Sequence, residues 1–267
     1  SFGDIYAMGG EPQTALAIAT IPFGIEEKVE DTLTQMMSGA MEILNEAGAA
    51  LVGGHTSEGA ELSLGFAVNG LINRDQVMRK GGLRPGDKLL LTKPIGTGTL
   101  FAADMRHKAK GRWIVSALDS MVQSNRKAAQ CLMEHKSLAC TDVTGFGLLG
   151  HLVEMIRASE VDVEIDLGEI PFLDGAEEMV IAGIVSSLQP QNVRLRRAVA
   201  NLKQVGQDKR FPLLFDPQTA GGLLASVSAD EAEECVKMLK KLGYAHTKII
   251  GNVLTQSNQI EPITVLV

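Results

Sequence analysis

The stretch TDVTGFGLLGH, residues 141–151, decides how the fold of this chain is interpreted. An acidic residue, Asp142, ends a short predicted strand, and glycines then precede a helix predicted over residues 146–158. Glycines at a helix start leave backbone N–H groups open to an anion, and a neighbouring carboxylate suits Mg²⁺. Asp142 is therefore a candidate metal ligand. The competing interpretation is that Thr141 or Asp142 only caps the helix, and the local sequence by itself favours the cap.

Four other segments are similarly rich in Gly, Asp, Thr and His. They are GDIYAMGG (residues 3–10), VGGHTSEG (52–59), LTKPIGTG (91–98) and DPQTAGGLL (216–224). Each falls at the end of a predicted strand or the start of a predicted helix, where a rigid frame commonly places functional loops. None of them is a P-loop or a dinucleotide-binding fingerprint.

The first two of these segments supply further candidates, each with an alternative. Asp4 is a metal ligand, an N-cap or an exposed helix acid. Gly53 and Gly54 predict a turn that ends a strand, with His55 and Thr56 at its tip. This turn either contacts a nucleotide or only ends the strand, and the stretch does not separate the two.

Other polar residues in these segments have ordinary structural explanations. Lys93 is interpreted as a solvated side chain. Asp216 and Pro217 are either turn residues or part of a segment that contacts a ligand, and the sequence favours neither. His151 falls among apolar helix positions and is interpreted as a packed or capping histidine.

Composition limits the classes of function. The 267 residues carry a formal net charge of −7, which argues against nucleic acid as a partner. Cys131, Cys140 and Cys235 match no zinc motif in spacing, and their odd number argues against a disulfide framework, which favours the cytoplasm. No apolar run reaches the roughly 18 residues that span a membrane.

Hydrophobic periodicity predicts an α+β or α/β fold in two halves. Apolar residues at helical spacing predict a helix over residues 28–48 and a longer one over Ala117–His135. Ser228 and Glu231 fit a capping box at the start of a further helix. A Gly/Arg/Pro-rich stretch places the domain boundary near Gly86, which gives domains over residues 1–86 and 87–267.

In this order and spacing, the five segments resemble those of the selenophosphate synthetases, the selenide, water dikinases. The resemblance covers essentially the whole chain, and TDVTGFGLLGHL and DPQTAGGLL are its most specific parts. It implies the two-domain α+β fold of the aminoimidazole ribonucleotide synthetase-like superfamily, with a truncated N-terminal domain for ATP binding and dimerisation. It also implies synthesis of selenophosphate from selenide, ATP and water, with release of AMP and phosphate, by a cytoplasmic homodimer.

The resemblance assigns roles to particular residues. Asp4 corresponds to an aspartate that contacts both Mg²⁺ and nucleotide, and Asp142 to a second metal aspartate. Gly54, His55 and Thr56 correspond to a segment that contacts ATP, across the dimer interface in the family.

Departures from the family pattern keep alternatives open. The nucleophilic Cys or selenocysteine and its Lys are expected upstream of Ser1, so no catalytic residue is assigned and this fragment is expected to be inactive. Gly3 and Ala220 stand where the family commonly has Asn and Ser. The alternatives are a superfamily member acting on a purine or thiamine intermediate, and a non-catalytic paralogue.

Overall fold

The computed structural model describes residues 1–267 and divides the chain into two compact units, Ser1–Val77 and Met78–Val267. The sequence places the boundary near Gly86, after the residues that open the second unit. Those residues belong to the second unit because Met78 is buried and Arg79 forms backbone hydrogen bonds with Leu138 and Cys140.

The first unit is a three-stranded sheet with helices. Its elements are α1 (Phe2–Ala7), β1 (Glu11–Pro22), α2 (Glu26–Ala47), β2 (Ala50–Gly59) and β3 (Ser63–Leu71). The strand order is β2-β1-β3, with β2 parallel and β3 antiparallel to β1. The helix predicted over residues 28–48 is confirmed as α2, and Gly48 ends it in the left-handed conformation that glycine tolerates.

The faces of β1 differ in an unusual way. Ala15 packs with Leu44 and Ala47 of α2. The alternate residues Leu16 and Ile18 point to the opposite face and are 41% and 55% exposed. The alanines of this strand are thus buried, while Leu16 and Ile18 face outward; Ile21, near the end of the strand, is buried.

The second unit is built on a six-stranded sheet in the order β5-β7-β4-β8-β6-β9, in which β6 and β9 are parallel and the other pairs antiparallel. Its strands are β4 (Lys88–Leu91), β5 (Cys140–Asp142), β6 (Asp162–Asp166), β7 (Leu223–Val227), β8 (Lys248–Leu254) and β9 (Ile263–Leu266). Its helices are α3 (Thr97–Asp104), α4 (Gly111–Val122), α5 (Arg126–Glu134), α6 (Gly147–Ser159), α7 (Ala176–Ile181), α8 (Gln189–Asn192), α9 (Leu202–Val205) and α10 (Ala229–Lys241).

The helix α6 lies in the core of this unit. Leu148, Leu149, Leu152 and Met155 are completely buried among strand residues. A helix that is apolar on nearly all sides is one that its neighbours surround. The helix predicted over residues 146–158 is confirmed. None of the helices is both long and apolar enough to cross a bilayer.

Two local predictions are wrong. The helix predicted over Ala117–His135 is broken into α4 and α5, because the intervening carbonyl of Gln123 and side chain of Asn125 bond to distant residues. The capping box of α10 is absent: Ser228 is the N-cap, but its side chain makes no capping hydrogen bond.

Candidate functional site

Three of the five sequence segments meet in the second unit. We call this contact the motif junction and define it as residues 92–99, 142–147 and 216–223. Gly98 donates its N–H to the carbonyl of Pro217, and Val143 donates its N–H to the carbonyl of Gly222. The segments are distant in the chain, so the fold alone brings them together.

Asp216 is at the centre of the motif junction and is completely buried. Its carboxylate accepts hydrogen bonds from the Thr99 hydroxyl at 2.8 Å and the Gln218 amide at 2.9 Å. Burial raises the pKa of Asp216 to about 6, because a low-dielectric surrounding disfavours the charged form, although the hydrogen bonds oppose this. Asp216 is thus a buried structural carboxylate and has no surface for a metal ion.

The side chain of Gln218 joins two segments, and the sequence analysis missed it. Its Oε1 accepts the N–H groups of Gly96 and Thr97 at 2.9 and 3.2 Å. Its Nε2 donates to Asp216. The one available signal was a long amide side chain inside a glycine-rich segment.

Lys93 is buried and does not extend into solvent as the sequence suggested. Its ammonium donates to the carbonyl oxygens of Ser120 and Ala220, at 2.9 and 3.2 Å, and to that of Gln123. Burial lowers the pKa of Lys93 to about 8. Because all three protons of the ammonium have backbone acceptors, Lys93 fastens the motif junction and is not a free cation for phosphate.

Asp142 is the half-buried last residue of the edge strand β5. The loop after it is fixed at Thr144, whose N–H donates to His151 Nε2 at 3.0 Å and whose carbonyl accepts the Gln218 N–H at 3.0 Å. A Cβ atom on Gly221 would lie 2.1 Å from the Val143 carbonyl oxygen, so a side chain there would displace this loop. Asp142 thus directly precedes a glycine-containing loop whose backbone is held in place.

The interpretation of Asp142 or Thr141 as a helix cap is wrong. The helix α6 begins at Gly147, its N-cap is Phe146, and no side chain caps it. Asp142 lies in the preceding strand, several residues before the N-cap position. His151, in contrast, is buried and holds the Thr144 N–H, in accord with a packed or capping histidine.

In the first unit, Gly54, His55 and Thr56 lie within β2 and are exposed. The predicted glycine turn is wrong, because the strand continues to Gly59 and pairs with β1 throughout. A Cβ atom on Gly54 would lie 2.0 Å from the Ala17 carbonyl oxygen. Glycine is therefore required here by the close approach of two strands.

Asp4 is exposed in the first turn of α1, and the N-cap is Ser1. The structure places Asp4 with Gly54, His55 and Thr56 in the first unit and Asp142 in the second. Asp4 and Asp142 offer carboxylate oxygens, the donors that Mg²⁺ prefers, and Asp142 stands at a loop whose backbone is fixed. Each of these carboxylates, taken by itself, is the kind of donor that fits Mg²⁺.

Family models match both parts of the chain. The AIR synthase related protein N-terminal domain matches residues 1–72, and the corresponding C-terminal domain matches residues 84–261. In solved structures, hydrogenase maturation protein HypE from E. coli has a TM-score of 0.74 at 17% identity, over 98% of this chain and 72% of that one. A HypE in complex with ATP has a TM-score of 0.70 at 18% identity, over 94% and 68%. These structures confirm the predicted two-domain α+β fold.

Curated relatives are more similar in sequence. The selenide, water dikinase of Clostridioides difficile (strain 630) is 38% identical over all of this chain and 75% of its own length. That of Geobacter metallireducens is 39% identical over 95% of this chain and 73% of its own length. This chain therefore belongs to the selenide, water dikinase family, within the superfamily of AIR synthase related proteins.

Proposed function

We propose that this chain supplies most of the ATP site of a magnesium-dependent enzyme that makes selenophosphate. The reaction consumes selenide, ATP and water and releases AMP and phosphate. The observation that carries the proposal is the position of Asp142 beside a glycine loop that the motif junction holds in place. Family membership supports the assignment of the substrates.

Charge explains why a cation is needed. The chain has a formal net charge of −7, and the triphosphate of ATP is also strongly negative. A carboxylate that contacted phosphate directly would repel it, whereas Mg²⁺ between the two reverses the sign of the interaction. When bound, the metal also neutralises charge on the phosphoryl oxygens during transfer. We assign Asp4 and Asp142 to the metal ions, and Asp4, Gly54, His55 and Thr56 to the nucleotide.

We also propose that the protein is a cytoplasmic homodimer. The support for the dimer is the outward face of β1, where Leu16 and Ile18 are exposed on a face that α2 does not cover. An exposed apolar patch of this kind is commonly a site where another protein binds. The support for the cytoplasm is that Cys131, Cys140 and Cys235 are all free thiols.

These 267 residues, taken alone, are expected to bind Mg–ATP weakly and to make no selenophosphate. The family resemblance assigns the nucleophile and its lysine to positions other than those present here. Selenophosphate formation by the isolated chain, followed by ³¹P NMR, would contradict this expectation.

The reaction itself is tested on the product of the gene that carries this sequence. We expect ³¹P NMR of a mixture with ATP, Mg²⁺ and selenide to show selenophosphate, orthophosphate and AMP. If ADP accumulates as the final product and selenophosphate is absent, the proposed reaction is wrong.

The role of Asp142 is tested on the product of the gene that carries this sequence, by calorimetric titration of ATP with and without Mg²⁺. Asp142→Asn should weaken magnesium-dependent ATP binding at least about tenfold, since it removes a charged ligand. Asp104→Asn is the matched control, because Asp104 is an exposed aspartate at the end of α3. Equal magnesium dependence in the two variants would remove Asp142 from the proposed site.

A further inference from the structure

Two helices of the second unit bring two cysteines and a histidine together outside the motif junction. Cys131 lies on α5, His135 follows four residues later at the end of that helix, and Cys235 lies on α10. Residues four apart share a helix face, and α5 packs against α10. The three possible ligand atoms all lie within 4.8 Å of one another.

The distances suit a tetrahedral metal ion. The Sγ of Cys131 lies 3.7 Å from Nδ1 of His135. Bonds of about 2.3 Å to sulfur and about 2.0 Å to nitrogen place tetrahedral S and N ligands about 3.5 Å apart. Nδ1 of His135 also lies 2.8 Å from the Cys131 carbonyl oxygen, so the imidazole already faces the cysteine side of the helix. Ligation through Nδ1 exchanges that contact for the metal bond.

Burial leaves one side of the cluster accessible. Cys131 and Cys235 are 1% and 0% exposed, whereas His135 is only partly buried. The cluster therefore meets solvent at His135, and a fourth ligand such as water would lie on that side. Three protein ligands with one open position form a common zinc arrangement.

We propose that Cys131, His135 and Cys235 bind one zinc ion that links α5 to α10. Binding releases the two thiol protons to solvent, and the neutral imidazole supplies its lone pair. The set of two sulfurs and one nitrogen favours Zn²⁺ over the hard Mg²⁺ proposed for the ATP site. Linear spacing gave no sign of the site, because α5 and α10 are distant in the sequence and the ligands meet only in the fold.

The histidine argues for a metal over the alternatives. Two buried cysteines can pack as small apolar residues or form a disulfide, and neither arrangement uses an imidazole. The site is independent of the proposed function, since none of its three residues forms a hydrogen bond with the motif junction.

Cobalt is the probe for the site because Co²⁺ reports thiolate ligands by charge-transfer absorption and tetrahedral geometry by the intensity of its d–d bands. We expect the reduced, metal-free full chain to bind one equivalent of Co²⁺ with both signatures, and Zn²⁺ to displace it. Absence of cobalt–thiolate absorption in a folded chain with three titratable thiols would overturn the proposal. So would a reduced chain that binds no cobalt but forms a Cys131–Cys235 disulfide on oxidation.

Substitution of each proposed ligand tests which residues give rise to the cobalt absorption. Cys131→Ser and Cys235→Ser should each lose most of the charge-transfer absorption, and His135→Asn should lower cobalt affinity at least about tenfold. Cys140→Ala is the matched control, because Cys140 is the third buried thiol and lies on β5 outside the cluster. His135→Asn keeps the test valid if the cysteine variants do not fold, since His135 is partly exposed. Absorption that survives in His135→Asn with unchanged affinity, or that is lost in Cys140→Ala, would overturn the assignment.

Discussion

The motif segments of the two units differ in what their polar residues contact. In the motif junction of the second unit, Lys93, Asp216 and Gln218 are buried and bond to other segments of the protein. In the first unit, His55 and Thr56 are exposed on β2. Segments that look alike in composition therefore lie in different surroundings, one buried and one exposed.

The difference in burial separates the motif residues that stabilise the fold from those that are available to bind a ligand. Buried polar groups are stabilising only while every partner is present, so substitution within the motif junction should lower the free energy of unfolding. Exposed side chains contribute little to folding, so substitution on β2 should change ligand affinity alone. Substitutions of buried and of exposed residues should therefore differ in their effect on stability.

The largest effect is expected for Lys93→Met. The substitution keeps much of the volume but leaves three partly buried carbonyl oxygens without their donor. At the lower end of the range for unsatisfied groups, about 1 kcal/mol each because water can reach part of the site, the free energy of unfolding should fall by about 3 kcal/mol. Urea unfolding measures the change, with exposed Lys127→Met as the control. A loss equal to that of the control would show that the ammonium is not what fastens the motif junction.

The second effect is a dependence on pH that comes from Asp216. Because its pKa of about 6 in the folded state lies above the ordinary 3.8, the folded chain holds this proton more tightly than the unfolded chain. The contribution to stability is therefore complete below the ordinary pKa and is lost as the pH rises to about 6. The shift of about two units corresponds to about 3 kcal/mol.

Asp216→Asn isolates this contribution, since the asparagine cannot ionise. The variant should be less stable than the unmodified chain near pH 4, where Asp216 is protonated in the folded state. This difference in the free energy of unfolding should become smaller as the pH rises toward 6. Asp208 does not interfere in this window, because its hydrogen bond from Arg210 lowers the pKa of Asp208, and its contribution is lost only as the pH falls below the ordinary value. A difference between the two proteins that stays constant with pH would contradict the assignment.

The sequence pattern correctly predicted those helices that are determined by residues within the helix itself. The stripe of apolar residues and the glycine at its end give α2, and the same features give α10. The break between α4 and α5 was missed, because residues 117–135 contain neither Gly nor Pro. The break depends on Lys93, which binds the carbonyl of Gln123, and on Asn125, which donates to the Gly221 carbonyl at 2.9 Å.

The candidate site shows the same limit. Asp142 could be identified as a candidate from its neighbours in the sequence. The sequence could not show that Asp142 does not cap α6, because that depends on the residue at which α6 begins. Gln218 could not be given a role, since its partners Gly96 and Thr97 are far away in the chain. The strand at Gly54 was predicted as a turn, because composition does not distinguish a glycine that turns from one that allows two strands to approach.

Gly54→Ala tests that last point and should have an intermediate effect. The added Cβ would lie 2.0 Å from the Ala17 carbonyl oxygen, so β2 must move away from β1. We expect a loss of about 2 kcal/mol, typical of overpacking, measured by thermal unfolding of the full chain. Gly65→Ala on β3 is the matched control, because nothing lies within 4 Å of its added Cβ. Equal effects of the two substitutions would mean that the close approach does not require glycine at position 54.

The smallest effect on stability is expected for His55→Gln. Because this side chain is exposed, the free energy of unfolding should change by no more than about 0.5 kcal/mol. Magnesium-dependent ATP affinity should nevertheless fall several-fold if His55 contacts the nucleotide. His246→Gln is the matched control, an exposed histidine of the second unit that should change neither quantity. Unchanged affinity in His55→Gln would leave the exposed face of β2 without a binding role, whereas a large loss of stability would contradict the division between a stabilising motif junction and a binding strand.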